Sequence, residues 1–119
     1  MGAIAITIST TVPVDVTQTQ IKVHGTLTFS GTYTAGGDVL NLSGFSQIES
    51  NSLPIQVEVY ETVAAGSTPT GYQFVFCPGT TQANGQLAIF STQVTQFSGS
   101  YGATFACGVT FDAYFPSLI

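Results

Sequence analysis

Between Gln20 and Thr34 the odd positions run Ile21, Val23, Gly25, Leu27, Phe29, Gly31, Tyr33, and the even positions run Lys22, His24, Thr26, Thr28, Ser30, Thr32, Thr34. A period of two held this long predicts a β-strand with one buried and one wet face. Fully extended it would measure roughly 45 Å at about 3.3 Å per residue, against roughly 35 Å for the diameter of a single domain of this length. The strand is therefore expected to bend. Gly25 and Gly31 are the places where a bulge or turn fits, because no side chain stands in the way.

The same alternation marks other stretches. Ile4, Ile6 and Ile8 alternate with Ala3, Ala5 and Thr7, giving a short N-terminal strand. Residues 10–16, with Pro13, read as an extended linker, since proline cannot donate to a central ladder. Residues 1–16 thus form a strand and linker able to pair with a neighbour. Ile4, Ile6 and Ile8 are the expected inter-subunit contact, an ordinary edge strand being the alternative. Ile55, Val57 and Val59 alternate with Gln56, Glu58 and Tyr60. At the C-terminal end Ala103, Phe105, Cys107, Val109, Phe111, Ala113 and Phe115 line one face of a second long strand, expected to be central.

Between these strands the turn chemistry is explicit. Ala35-Gly36-Gly37-Asp38 predicts a hairpin into Val39 to Leu42. Ser43 to Leu53 predicts a packed loop anchored by Phe45 and Ile48. Tyr72 to Cys77, dense in aromatics, predicts a strand buried on both faces. Asn84-Gly85 predicts a turn, since both residues accept positive φ, and Leu87 to Phe90 returns as the partner strand. No stretch carries the 3.6-residue period of a sizeable helix. The expected fold is all-β: a compact antiparallel β-sandwich or β-barrel of about seven or eight strands, in one domain over residues 1–119.

Composition narrows the function classes. The chain has 119 residues, 44% of them hydrophobic, with nine Phe and five Tyr. That is enough for one core and needs no disulfide or metal staple. Only 6% of residues are charged, where a soluble domain carries about a quarter. The surface must be built from Thr, Ser, Gln and Asn, and a net charge of −5 is its only long-range field. Such a surface suits life inside an assembly; a secreted or surface β-domain is the alternative. With Lys22 as the one basic residue besides His24, nucleic acid is excluded as a partner, because neutralising phosphates needs several cations. No apolar run of about 18 residues predicts a membrane-spanning helix, and no membrane partner is expected. Cys77 and Cys107 lie in apolar strand-like runs and read as buried thiols, a disulfide being the alternative.

Little in the chain carries chemistry. The one histidine, His24, sits on the polar face of the long strand and reads as a surface residue. Gly99-Ser100-Tyr101-Gly102 has Ser98 where a nucleophile elbow has its first glycine. Asp15, Asp38, Glu49, Glu58, Glu61 and Asp112 are scattered, with no clustered His and Cys for a transition metal and no oxygen-rich loop for calcium. No catalytic residue, metal site or cofactor is expected.

Leu27-Thr28-Phe29-Ser30-Gly31-Thr32-Tyr33, Gly36-Gly37-Asp38-Val39-Leu40-Asn41-Leu42, Tyr72 with Pro78-Gly79-Thr80-Thr81 and Asn84-Gly85-Gln86-Leu87, and Phe111-Asp112-Ala113-Tyr114-Phe115-Pro116 together resemble the small virion structural proteins of tailed bacteriophages. The resemblance covers residues from Thr17 to Pro116. It implies an all-β capsid decoration (cement) protein located in the virion, partnered by the major capsid protein and by copies of itself as a homo-oligomer. A tail or neck component is the first alternative. A glycan-binding β-module is the second, with Tyr72, Tyr101 and Tyr114 as stacking faces.

Overall fold

The computed structural model describes residues 2–13, 20–43, 45, 48, 52–62, 68–102, 104–105 and 108–116. Seven antiparallel strands form two sheets packed as an all-β sandwich, and no helix occurs among the described residues. β1 (Ala3–Pro13), β2 (Gln20–Ser30), β4 (Gln56–Glu61) and β7 (Val109–Pro116) make a four-stranded sheet in the order β1-β2-β7-β4. β3 (Asp38–Val39), β5 (Gln73–Cys77) and β6 (Gln86–Phe90) make the second, in the order β3-β6-β5.

β2 has the predicted faces. Ile21, Val23 and Leu27 are buried, while Thr26 and Thr28 are exposed. Both glycines act where a bend was expected. Gly25 stands opposite Ile8, and a Cβ there would lie 2.1 Å from the Thr7 carbonyl oxygen, so only glycine allows this approach. Immediately beyond, the register of β1 shifts between Ile8 and Thr10. Gly31, at φ +79°, ends the strand before Thr34.

The β1 bulge explains why the sequence pattern fades after Ile8. Up to it, the even residues Ile4, Ile6 and Ile8 stand opposite Phe29, Leu27 and Gly25; past it, the odd residues Thr11 and Pro13 stand opposite Val23 and Ile21. One inserted residue reverses the parity of the strand. Residues 10–13 accordingly continue the strand and are not a linker. Pro13 is tolerated because β1 is terminal in its sheet. Residues 14–16 lie outside the described residues.

Three other expectations are corrected. The glycine turn after Tyr33 does not make a hairpin with β2; it carries the chain into the second sheet, where β3 pairs with β6. Gly36 and Gly37 adopt φ +92° and +114°, and a Cβ on Gly37 would lie 2.8 Å from the Leu87 carbonyl oxygen, so the chain can lie down closely on β6. β5 is buried on one face only. As the terminal strand of its sheet it turns Phe74 and Phe76 inward and leaves Val75 and Cys77 exposed, so Cys77 is not a buried thiol. Cys107 lies outside the described residues. The C-terminal strand begins at Val109, after a turn in which the Gly108 N–H donates to the Phe105 carbonyl.

β7 is central, as expected, and with β2 it fills the core. Val23, Leu40, Leu42, Leu87, Phe111 and Phe115 are all fully buried there. Phe45 stacks on Phe111 and meets Phe115 edge-on, so Phe45 and Ile48 do anchor the connection before β4. A second cluster gathers Tyr33, Ile89 and Tyr101 with Phe29, Phe97 and Phe105. Each of these aromatics stabilises the fold by about 1.5–3 kcal/mol before ordering costs. The predicted β5–β6 hairpin is present. Its Gly85 does not use positive φ; a Cβ there would lie 2.6 Å from the Phe76 ring.

Candidate functional site

Among the described residues, ionisable side chains gather at two places, while Glu61 stands apart and accepts hydrogen bonds from Thr70 and Gly71. The first is the face of the four-stranded sheet turned away from the core. Because β2, β7 and β4 are adjacent and antiparallel, His24, Asp112 and Glu58 fall in one row across them. His24 Nδ1 lies 2.5 Å from Asp112 Oδ1, the Tyr60 hydroxyl donates to Asp112 Oδ2 at 2.9 Å, and Lys22 Nζ stands 3.7 Å from Oδ1. Burial by itself would raise the Asp112 carboxyl, but the hydrogen bonds from His24 and Tyr60 and the Lys22 charge outweigh it and hold the group below its ordinary value. Burial and the bond to Asp112 push the Tyr60 hydroxyl up.

A carboxylate oriented on an imidazole is half of an acid–base relay, which also needs a nucleophile and shelter from water. Here the row lies along a sheet face, and its bonds satisfy one buried carboxylate. His24 is accordingly a partner of Asp112 and more than a plain surface residue. The sequence did not reveal this pair, because its members are 88 residues apart.

The second place is the edge where β1 and β3 meet. Asp38, 3% exposed, accepts hydrogen bonds from the Tyr101 hydroxyl at 2.5 Å, the Gly2 N–H at 3.2 Å and the Thr34 N–H at 3.4 Å. The burial of Tyr101 and its bond to Asp38 push the phenol far up. Beside this knot, Ala3, Ile4, Val39 and Gln86 border a cleft of about 290 Å³. On the opposite side of the sandwich β4 lies along β5. Among the described residues, no strand pairs with the outer edge of β1.

The chain matches no known family, curated protein or solved structure.

The candidate contact residues are divided by the geometry of the chain. Ile4 and Ile6 pack partly against the core of their own chain, while Ile8 is 42% exposed. Of the three tyrosines considered for glycan stacking, Tyr101 is buried at 1% exposure and Tyr72 packs edge-on against Phe105, so Tyr101 offers no stacking face. Tyr114 is half-buried in the row next to Asp112, in register with Lys22 and Gln56. Among the described residues, no group of three His, Cys, Asp or Glu side chains is arranged to hold a metal ion.

Proposed function

We propose that this chain is a structural subunit of a virion, a capsid decoration (cement) protein that bridges and stabilises neighbouring capsid subunits. The observation that carries the reading is the outer edge of β1. It is an eleven-residue strand without a charged side chain, and edges in proteins that stay monomeric are usually blunted by lysine, inward charge or short length. Ile8, Val39, Leu53, Ile55, Val75 and Val94 add exposed apolar area to a surface almost free of charge. The mechanism is association: apolar side chains and open strand edges lose water against the shell, and repeated copies multiply a modest contact. The resemblance of Leu27–Tyr33, Gly36–Leu42, Pro78–Leu87 and Phe111–Pro116 to phage virion proteins supplies the kind of assembly.

Co-sedimentation tests it. Purified protein is expected to pellet with assembled heads of the virus that encodes it, and to raise their resistance to heat. Failure to pellet with heads, together with recovery on isolated tails, would replace the decoration role with a tail or neck role.

A further inference from the structure

We infer that the outer edge of β1 pairs antiparallel with the same edge of a second copy, across a two-fold axis at Ile6, joining two four-stranded sheets into one of eight strands. The inference deepens the assembly role proposed above and rests on it only for its biological setting.

Four observations carry it. The first is that β1 ends its sheet, with no described strand hydrogen-bonded to its outer edge; β3 approaches only its first residues, at Gly2 to Ile4. The second is that Ala3–Pro13 contains no charged residue, so pairing with itself sets no like charges against each other. The third is symmetry in the sequence. Directly opposed residues on an antiparallel pair share a face, so identical strands must pair even with even and odd with odd. Ile4-Ala5-Ile6-Thr7-Ile8 is close to palindromic about Ile6. An axis there sets Ile6 against Ile6, Ile4 against Ile8 and Ala5 against Thr7 of the second copy. The fourth is exposure. Ile8 is 42% exposed although it lies on the core-facing parity of β1, and its partner on β2 is Gly25, which has no side chain to cover it. In the paired form Ile4 of the second copy covers it. The bulge after Ile8 bends the strand and limits the pairing to the segment before it.

The register is tested through Ala5 and Thr7, both exposed on the outer face. Ala5→Lys with Thr7→Lys sets ammonium groups against each other twice across the axis. Ala5→Lys with Thr7→Glu sets ammonium against carboxylate at the same two places. Sedimentation velocity on the purified chain alone, with circular dichroism as the check on folding, reads the result without any virion. The unaltered chain and the Lys/Glu variant are expected to form concentration-dependent dimers, and the Lys/Lys variant to remain monomeric. A monomer at every concentration for the unaltered chain, or equal dimerisation of the two variants, overturns the inference. Binding to heads by a monomeric chain would leave the decoration role standing with a different edge partner.

Discussion

His24 Nδ1 and Asp112 Oδ1 lie 2.5 Å apart across the β2–β7 pair, at the centre of the four-stranded sheet. The bond ties a pH response to the fold. Asp112 in the folded chain titrates below its ordinary value of 3.8. The stability it contributes is therefore fully present above that value and is lost as pH falls through the lower folded value. Urea melts from neutral pH downward should show the midpoint of the wild type dropping below about pH 4. Asp112→Asn should lose about 1–3 kcal/mol at neutral pH and show a flatter acid limb. Parallel acid limbs for the two proteins would contradict this role.

Adjacent residues of β2 should differ sharply in tolerance. Phe29 packs against Tyr101 and Phe105 at ring separations of 5.1 and 5.0 Å, whereas Thr28 is exposed. Phe29→Asp should cost about 3 kcal/mol or more, and Thr28→Asp about 0.5 kcal/mol. Equal losses in chemical denaturation would show that the strand does not present these faces.

Gly25→Ala should be among the most damaging small substitutions in the chain. The new methyl would meet the Thr7 carbonyl oxygen and the Ile8 Cα, both backbone, so β1 must lift from β2. A loss of about 1–3 kcal/mol is expected. Amide exchange should rise along β1 before it rises along β7; uniform exchange would point to global loosening instead.

Tyr101→Phe removes a donor from a buried carboxylate while keeping the ring in the aromatic cluster. Among the described residues, Asp38 would keep the weaker backbone donors of Gly2 and Thr34. The expected cost is about 1–3 kcal/mol in a thermal or urea melt at neutral pH, and it should shrink in an Asp38→Asn background because the two residues share one interaction. Additive losses would separate them.

Much of the fold was legible locally. The faces of β2 and the course of β4 follow from alternation, since a residue's side of a sheet depends only on its own strand, and the central place of β7 was signalled by its unbroken apolar face. The bends were legible at Gly25 and Gly31. The hairpin after Tyr33 was misread because a glycine turn states that the chain reverses without stating which strand it reverses against. β5 looked buried on both faces because aromatic density does not reveal that a strand will lie at the end of its sheet.

Alternation and composition are local or additive properties, so they already mark this chain as all-β, sparsely charged and uncharged along its N-terminal strand. Tertiary packing settled that Asp112 joins His24, Tyr60 and Lys22, that Asp38 is sealed by Tyr101, and that among the described residues no strand pairs with the outer edge of β1. Those facts depend on strand order and register, which are set by the burial of faces drawn from distant parts of the chain.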